Sequence, residues 1–407
     1  MTNPNLLDST LTMILAGGQG ERLYPLTREV AKPAVPFGGI YRIIDFTLSN
    51  CINSNLRKIY VLTQYKSSSL DRHLRRGWSF LHPELGEYIY TIPPQQQVAD
   101  LWYRGTADAI YQNIYTLEQE KPERVLILSG DHIYKMDYSR MIDSHVQSGA
   151  DLPVACVEVP LAQASHLGVM AVDESSRITG FQEKPESPAP VPGNPDVALA
   201  SMGIYVFSTS TLVRTVSEEA RRSQTRHDFG LNIIPRLVDS GKVFAYNLKD
   251  TNRNTTLYWR DIGRLGTYWE ANMDLLEKHP EFDLYDESWP IRTFQVQRPP
   301  ARVRVENAQS VRAIISNGCD IDDARVHHSI LSPGVTVQPD ASVTDSILME
   351  GVDVGAGAVV RKAIVDHDVV IPPNSRIGVD AREDGQRFTI TPEGIVVVPS
   401  GIQLDGA

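Results

Sequence analysis

The chain has 407 residues, enough for two or three domains of ~150 residues each. Its composition, 42% hydrophobic and 22% charged, is ordinary for a globular protein. The formal net charge of −11 argues against binding to nucleic acid, although local cations can still recognise a small anionic substrate. Residues 57–76 are locally basic, which fits a solvated helix face as well as an anion site.

The sequence pattern predicts neither a secretory signal nor a membrane span. Residues 1–10 lack the basic cluster and apolar core of a secretory signal, and no apolar run approaches the ~18 residues of a membrane span. The chain has three cysteines and no CxxC pair among them; they are Cys51, Cys156 and Cys319. This small, odd number favours a reducing compartment. We therefore expect a cytoplasmic protein with no membrane partner.

In the first two thirds of the chain, short apolar runs alternate with polar, helix-like stretches. The runs are residues 11–16, 59–63, 125–128 and 153–159. They predict buried parallel strands joined by helical crossovers, and so a Rossmann-like, mostly parallel open α/β sheet. Because ligands bind beyond the carboxyl ends of such strands, the loop at 17–20 and Asp131 are expected to converge.

After residue 280 the character of the chain changes. Residues 280–300, rich in Pro and aromatic side chains, indicate a connector, and from about Val311 a six-residue period replaces the helical signal. The positions counted by six are Val335, Ala341, Ile347, Asp353, Val359, Val365, Ile371 and Ile377. A hexapeptide repeat predicts a parallel β-helix, with an irregular antiparallel domain as the alternative. The polar Asp353 interrupts the column and predicts a turn or a bent coil there.

The domain boundaries predicted from these changes are 10–280 for a nucleotide-chemistry domain, 281–310 for the connector and 311–400 for the hexapeptide-repeat domain. The first of these contains the most informative segment, the glycine-rich run at 15–27. Glycines after a strand let backbone N–H groups approach a phosphate chain closely. Leu23 excludes a dinucleotide fingerprint, and the Gly-Lys pair at 241–242 lacks the Ser or Thr of a Walker loop.

In its motifs the chain resembles the sugar nucleotidyltransferases, and within them the bacterial ADP-glucose pyrophosphorylases. The resemblance covers about residues 10–395, with the motifs in the family's order. They are Gly17-Gly18-Gln19-Gly20-Glu21-Arg22-Leu23, Ala31-Lys32-Pro33-Ala34-Val35-Pro36-Phe37-Gly38-Gly39, Tyr41-Arg42-Ile43-Ile44-Asp45-Phe46, Trp102-Tyr103-Arg104-Gly105-Thr106-Ala107-Asp108-Ala109, Gly130-Asp131-His132, Phe181-Gln182-Glu183-Lys184-Pro185, Ser201-Met202-Gly203 and Tyr258-Trp259-Arg260-Asp261-Ile262-Gly263. The resemblance implies that the predicted β-helix is left-handed and that the first domain is catalytic.

The implied reaction transfers the adenylyl group of ATP to glucose 1-phosphate and gives ADP-glucose and pyrophosphate, the first committed step of glycogen synthesis. The attacking phosphate is largely ionised at pH 7, since its second pKa is about 6, so no general base is required. Two polyanions must instead be brought together, which calls for positive charge, a metal ion and positioning.

The resemblance gives four residues catalytic roles. Arg22 and Lys32 would hold the β- and γ-phosphates of ATP, Arg by bidentate contact and Lys as a point charge. Asp131 and Asp261 would bind Mg²⁺. Without the family, Lys32 would be interpreted as a surface lysine and either Asp as a turn or helix cap. His132 is interpreted as structural.

The resemblance also assigns the two substrate pockets. The glucose 1-phosphate pocket would be formed by Tyr103, Gly168, Glu183, Lys184 and Ser201. The nucleotide would be bound by Gly17, Gly18, Gly20, Gly105 and Thr106 and by Gln95 or Gln96. An amide matches the donor and acceptor edge of adenine, but the sequence does not decide which Gln is used.

Three alternatives remain open. A non-catalytic regulatory subunit is disfavoured because Arg22 and Lys32 are both present. Another nucleoside-diphosphate sugar is disfavoured by the segments at 102–109 and 258–263. A bifunctional acetyltransferase is disfavoured because the repeat is short and the His pair at 327–328 is interpreted as a solvated turn.

Regulation is where the sequence departs from one branch of the family. The branch activated by fructose 1,6-bisphosphate carries Lys-Arg before its Ala-Lys-Pro, whereas this chain has Glu29 and Val30 there. That branch also carries a His where this chain has Pro36. We therefore expect control by a small phosphorylated effector other than this bisphosphate, bound between the domains with Arg42 as a contact. The family also implies a homotetramer.

Overall fold

The computed structural model describes residues 4–94, 102–250, 255–304 and 311–404. The α-helices are α1 (Pro4–Asp8), α2 (Ile43–Asn53), α3 (Ser67–Gly77), α4 (Thr106–Tyr111), α5 (Ile114–Glu120), α6 (Tyr138–Ser148), α7 (Thr209–Ala220), α8 (Ile234–Ser240), α9 (Leu265–Asp274) and α10 (Ala381–Arg387). None of the described helices is long and apolar enough to cross a membrane.

The N-terminal domain contains sixteen of the described strands. They are β1 (Thr10–Ala16), β2 (Pro36–Phe37), β3 (Tyr41–Arg42), β4 (Lys58–Thr63), β5 (Tyr88–Ile92), β6 (Arg124–Ser129), β7 (His132–Tyr134), β8 (Leu152–Pro160), β9 (Gly168–Val172), β10 (Ile178–Glu183), β11 (Pro190–Val191), β12 (Asn194–Ser208), β13 (Val243–Asn247), β14 (Lys249–Asp250), β15 (Thr255–Thr256) and β16 (Trp259–Asp261).

The central sheet of this domain is mixed, with a parallel core. Strands β6, β1, β4 and β5 lie side by side and parallel, with Ile14 of β1 between Val61 and Leu128. Strand β12 pairs antiparallel with β6, β8 and β9. The predicted mostly parallel α/β sheet is confirmed.

One strand prediction was half right. The run at 153–159 falls in β8, which runs parallel to β13 but antiparallel to β12. Its first residues are buried, as expected for a strand with neighbours on both sides. A continuous apolar run reports burial of both faces, but it carries no information on the direction of the neighbouring strands.

Side chains of the parallel strands point alternately to two apolar layers. Ile14 and Leu128 belong to one layer, and Met13 and Ile127 belong to the other. Helices α2 and α6 pack on the first layer, and α4 and α7 on the second. The sheet is therefore covered on both faces, which leaves its carboxyl edge as the place where loops can form a site.

The C-terminal domain is a stack of parallel strands. They are β17 (Arg302–Arg304), β18 (Val311–Ile315), β19 (Asp320–Asp322), β20 (Arg325–Leu331), β21 (Thr336–Val337), β22 (Ser342–Thr344), β23 (Ile347–Leu348), β24 (Asp353–Val354), β25 (Val359–Arg361), β26 (Ala363–Val365), β27 (Val370–Ile371), β28 (Arg376–Ile377), β29 (Thr389–Ile390) and β30 (Val396–Val398). Most neighbours pair in parallel across successive coils, which confirms the hexapeptide-repeat, β-helix-like prediction.

The coil is shorter than three hexapeptides, and this corrects the predicted column. Thr336 and Asp353 hydrogen bond across adjacent coils at a separation of 17 residues. Asp353 lies inside β24 rather than in a turn, and its neighbours Val352 and Val354 are the buried residues. Counting by six therefore fails at Asp353 and Val359, because one side of each coil has five residues.

The two domains share an apolar core. Phe37 and Tyr268 of the N-terminal domain belong to the same cluster as Ile330, Ile347 and Val397 of the β-helix. Across the same contact, the indole nitrogen of Trp269 donates to the Asp345 carbonyl at 2.9 Å. Strand β17 lies within the predicted connector yet pairs with β19, so part of that segment joins the β-helix sheet.

Candidate functional site

The glycine-rich loop begins where β1 ends, at the carboxyl edge of the sheet. Gly20 has φ of +68°, a left-handed conformation that favours glycine. The hydroxyl of Thr27 donates to the Gly20 carbonyl at 2.9 Å and closes the loop. Between them a short 3₁₀ turn, Glu21–Leu23, buries Leu23 and leaves Arg22 exposed. The glycine-rich loop and an exposed cation therefore lie at the same edge of the sheet.

The Lys32 side chain reaches the carboxylates at this edge. Lys32 opens the 3₁₀ turn Lys32–Ala34 and is only 8% exposed, unlike an ordinary surface lysine. Its ammonium lies 2.5 Å from Oδ2 of Asp131 and 3.8 Å from Oδ1 of Asp261. A cation is therefore held between two carboxylates next to the glycine loop.

The two carboxylates come from distant parts of the sequence. Asp131 follows β6, whereas Asp261 ends β16, which pairs antiparallel with β7 and places Asp261 opposite His132. One ligand atom from each of these three residues lies within 4.8 Å of the others, which is close enough for a metal ion. On its other side Asp131 accepts a short hydrogen bond from the Ser129 hydroxyl.

The charges around Asp131 keep it ionised. Burial alone would raise the pKa of this carboxyl, but the ammonium of Lys32, the nearby His132 and hydrogen bonds from Lys32 and Ser129 together hold the pKa well below its usual range. An ionised, inward-facing carboxylate beside a second one is the donor set that a divalent cation needs.

The His132 ring lies beside the carboxylates without a close contact to either. Its Nε2 is 3.5 Å from Asp131 and 3.8 Å from Asp261, and its ring packs edge-on against Trp259 at 5.2 Å. The other nitrogen, Nδ1, is buried with no hydrogen-bond partner in the described part of the chain. Metal-ligating histidines usually donate from their second nitrogen, so this geometry favours the carboxylates as ligands.

A cavity of about 470 Å³ opens in front of these groups. Among the predicted site residues, its lining includes Gly17, Gly18, Lys32, Tyr103, Gly105, Thr106 and Asp131. Arg22 and Asp261 are not in its lining; both lie next to Gly263, and Asp261 is 3.8 Å from the Lys32 ammonium of the lining. The structure therefore brings together the predicted loop, cation and carboxylate residues.

The lining also contains residues that the sequence did not predict, among them Asp228, Phe229 and Gly230. The Thr106 hydroxyl donates to Asp228 at 2.9 Å and accepts from the Phe229 backbone at 3.0 Å. Only glycine fits at position 105, since a Cβ there would lie 2.2 Å from the Arg226 carbonyl. Asp228 also caps the following helical turn, and a cap was the only signal that its sequence context offered.

Apart from Tyr103, the predicted glucose 1-phosphate residues lie outside the lining of the cavity. Gly168 packs against Phe181 and Glu183, and Phe181 also contacts Gly230 of the lining. The Lys184 ammonium lies 3.0 Å from Glu183, and its side chain is 56% exposed. Through Phe181 this group borders the cavity, and the Lys184 ammonium, although paired with Glu183, is exposed enough to meet an anion from solvent.

Two further predicted residues approach from neighbouring elements. The Ser201 hydroxyl on β12 accepts from the backbone of Gly203, which lines the cavity. The Tyr103 hydroxyl accepts from Asn113 at 3.1 Å, and burial raises the pKa of Tyr103, so it remains a neutral donor. Gln95 and Gln96 lie outside the described residues. Within the described residues, Tyr65 of the lining stacks on Trp102 with ring centroids 4.8 Å apart.

A second cavity, of about 490 Å³, lies between the N-terminal domain and the β-helix. The charged residues that line it are Arg28, Glu29, Arg42, Arg72, His73, Arg76, Arg298, Glu350, Asp366, His367 and Asp368. Arg72 and Arg76 belong to the locally basic segment, so part of that segment faces this cavity. Burial lowers the pKa of Arg42 against the opposing effect of Asp45, and its guanidinium donates to the Ala34 carbonyl at 2.9 Å.

Comparisons with known proteins agree with this architecture. Residues 11–278 match the family model described as nucleotidyl transferase, and residues 299–398 match that of the GlmU-like, C-terminal hexapeptide. A glucose-1-phosphate adenylyltransferase 2 from Vibrio cholerae is 48% identical, over 98% of this chain and 99% of the relative. Glucose-1-phosphate adenylyltransferases from Koribacter versatilis and Methylococcus capsulatus are 49% and 47% identical, over 97% of this chain and 96% and 94% of theirs. The family resemblance predicted from the motifs is confirmed.

Proposed function

The chain belongs to the nucleotidyl transferase family, within the group of glucose-1-phosphate adenylyltransferases, and we propose that it transfers the adenylyl group of ATP to glucose 1-phosphate. The products are ADP-glucose and pyrophosphate. The observation that carries the proposal is the convergence of the glycine loop, Lys32 and Asp131 in one cavity. A glycine-rich loop, a cation and paired carboxylates suit a nucleoside triphosphate with its metal ion.

The donor set fits Mg²⁺. Asp131 and Asp261 supply carboxylate oxygens, the ligands that this cation prefers, and Asp131 is held in its ionised form. When bound, Mg²⁺ supplies charge neutralisation to the phosphates of ATP and to the leaving pyrophosphate. Softer cations favour imidazole ligands, and the unpartnered Nδ1 of His132 argues against that role.

The cations of the loop act on the phosphates that leave. Lys32 already neutralises carboxylates, and in the ATP complex its ammonium would contact the β- or γ-phosphate instead. Arg22 stands exposed on the loop, where its guanidinium can take a phosphate in bidentate fashion. Gly17, Gly18 and Gly20 provide close backbone approach. Their joint effect is stabilisation of negative charge that grows on pyrophosphate during the reaction.

The second substrate is proposed to enter beside Phe181. Lys184 would bind the phosphate of glucose 1-phosphate, while Glu183, Ser201 and Gly168 contact the sugar. Tyr103 can donate from its neutral hydroxyl. The adenine would be bound by Gly105, Thr106 and either Gln95 or Gln96. No residue is needed as a base, because the attacking phosphate is already ionised; catalysis is positioning and charge stabilisation.

The remaining parts of the proposal concern regulation, oligomeric state, metabolic role, domain boundaries and localisation. The inter-domain cavity, with Arg42 in its wall, is the proposed site of a small phosphorylated effector. A homotetramer, a role in glycogen synthesis and the boundaries 10–280, 281–310 and 311–400 are proposed from the family. The three buried, unpaired cysteines are compatible with a cytoplasmic protein.

The test is an assay of pyrophosphate release with glucose 1-phosphate and each of the four nucleoside triphosphates. We expect release with ATP, little with the others, and loss of activity when EDTA removes the metal ion. The Lys32→Met variant should lose activity, while Lys121→Met, a change on an exposed loop outside the cavity, should retain it. A higher rate with another nucleotide would support a different sugar nucleotide. A folded chain without activity would support the non-catalytic subunit.

A further inference from the structure

We propose that Lys66 is a positioning residue for the glycine-rich loop at 17–28, which is called the phosphate loop below. Lys66 holds the far end of this loop in place and thereby fixes the position of Arg22. The inference deepens the proposed function and depends on it for its kinetic part. No family motif quoted above includes Lys66, which lies between β4 and α3.

The Lys66 side chain makes two short contacts with the loop. Its ammonium donates to the carbonyl of Thr27 at 2.7 Å and to that of Arg28 at 2.6 Å. An exposed lysine usually keeps its ammonium in water, whereas this one is directed at two consecutive carbonyls. Its own backbone has φ of +46°, a region that residues with a Cβ seldom adopt. An uncommon backbone conformation thus accompanies these two hydrogen bonds, which are together called the Lys66 clamp below.

The clamp reaches Arg22 through Thr27. The Thr27 hydroxyl donates to the Gly20 carbonyl at 2.9 Å, so Thr27 ties the end of the loop to its glycines. The 3₁₀ turn with Arg22 lies between these two points. Fixing the Thr27 and Arg28 carbonyls therefore restricts the backbone from which Arg22 projects.

The same segment also contacts the start of the loop. Gln64, two residues before Lys66, packs so closely on Gly17 that a Cβ there would lie 3.0 Å from the Gln64 Cβ. Gln64 and Tyr65 both line the catalytic cavity. Residues 64–66 thus contact the phosphate loop at both ends, and Lys66 supplies the polar contact at the far end.

The contact matters because Arg22 has little else to hold it. Arg22 is exposed, and within the described ranges no side-chain hydrogen bond fixes its guanidinium. Its position when ATP binds therefore depends on the loop backbone. A small misplacement of a phosphate-binding group weakens transition-state stabilisation far more than it disturbs the fold.

The kinetic test uses Lys66→Met, which keeps the aliphatic stem and removes the donors. We expect kcat to fall roughly ten-fold and KM for ATP to rise several-fold, with KM for glucose 1-phosphate within about two-fold of wild type. Lys66→Arg, which keeps the charge and donors, should restore most of the loss. The matched control is Lys121→Met, because Lys121 is also exposed with φ of +46° but lies away from the cavity.

A double-mutant cycle separates positioning from general destabilisation. If Lys66 acts through Arg22, Lys66→Met should cost little more in a protein that already carries Arg22→Ala. Fully additive losses, or equal rises in both KM values together with a lowered Tm, would show a merely structural role and overturn the proposal.

A third readout requires no activity. Cleavage by an arginine-specific protease after Arg22 and Arg28, followed by mass spectrometry, should be faster in Lys66→Met than in wild type or Lys121→Met. If the wild type lacked adenylyltransferase activity but the difference in cleavage persisted, the proposed function would fail while the clamp remained. Unchanged cleavage together with unchanged kinetics would overturn the clamp itself.

Discussion

The ammonium of Lys32 lies 2.5 Å from the carboxylate of Asp131, in a partly buried ion pair at the carboxyl edge of the central sheet. Asp261 lies on the other side of the same ammonium, at 3.8 Å. This ion pair connects Lys32, which follows the phosphate loop, to the carboxylates of Asp131 and Asp261. The charges of Lys32 and Asp131 compensate each other. Either member loses its compensation when its partner is removed, so variants of this site must be checked for folding as well as for activity.

The first prediction is that Asp131→Asn lowers kcat by at least ~10²-fold while the protein remains folded, because the variant weakens metal binding in the transition state. The amide is isosteric and still accepts a hydrogen bond from Lys32. Steady-state kinetics at saturating Mg²⁺, with circular dichroism and thermal melting, measures the effect. Asp143→Asn on α6 is the control and should be indistinguishable from wild type. Near-normal turnover of a folded Asp131→Asn would contradict the assignment.

The second prediction is that Lys184→Gln raises KM for glucose 1-phosphate far more than KM for ATP. Lys184 is half exposed and contacts Glu183, so its loss leaves no buried charge without a partner. A contact made equally in the ground and transition states should appear mainly in KM. Initial rates with each substrate varied in turn give the comparison, with Lys278→Gln as a distant exposed control. Equal effects on both substrates would indicate a structural role instead.

The convergence of the site was predictable from the sequence in one part only. Gly17 and Asp131 follow adjacent parallel strands, and the rule that such strand ends meet is general. The position of Asp261 depends on β16 pairing with β7, across more than a hundred residues. That pairing has no local signal, so only the family resemblance suggested that the two carboxylates belong together.

The β-helix illustrates a similar limit. Apolar residues at regular intervals predicted the repeat, because inward-facing side chains must be buried in every coil. The coil length, however, depends on how tightly each corner turns, and a single omitted residue moves the column from Asp353 to Val352 and Val354. Periodicity identified the architecture, and of the positions counted by six only Asp353 and Val359 fall outside the buried column.

The third prediction concerns pH and stability. Burial, with a further contribution from Arg124, lowers the pKa of His145 to about 4. In the unfolded chain its pKa is about 6.5. Between these values the unfolded state binds a proton that the folded state does not, so stability falls as the pH drops from 6.5 towards 4.

His145→Gln should therefore reduce the loss of stability on acidification. At pH 5 the contribution of this one histidine is expected to lower the free energy of unfolding by roughly 1–2 kcal/mol relative to pH 7.5. The difference in Tm between pH 7.5 and pH 5 should be smaller in the variant by a few degrees, measured by calorimetry. His166→Gln, at an exposed position, is the matched control. An equal pH dependence in wild type and His145→Gln would show that other groups carry the effect.

The fourth prediction is that the enzyme responds to a sugar monophosphate but that fructose 1,6-bisphosphate is a poor activator. A bisphosphate carries several negative charges, and its site must supply cations in surplus. In the inter-domain cavity Glu29 lies 3.5 Å from Arg28 and competes for it, while Glu350 is paired with Arg298. Arg42, half-buried in the cavity wall, remains to meet a single phosphate, with Arg72 and Arg76 also in the lining.

The size of the effect follows from the charge reversal that Glu29 represents. An anion within ~6 Å of a phosphate opposes binding by something on the order of 1–3 kcal/mol at intermediate dielectric, or roughly ten- to a hundred-fold in affinity. Glu29→Lys should therefore strengthen the response to the bisphosphate, whereas Glu174→Lys, the same charge change on an exposed surface outside the cavity, should not. The measurement is an effector screen at sub-saturating ATP with glucose 6-phosphate, fructose 6-phosphate and fructose 1,6-bisphosphate. Strong activation of the wild type by micromolar bisphosphate, with weaker responses to the monophosphates, would show that Glu29 does not set effector choice.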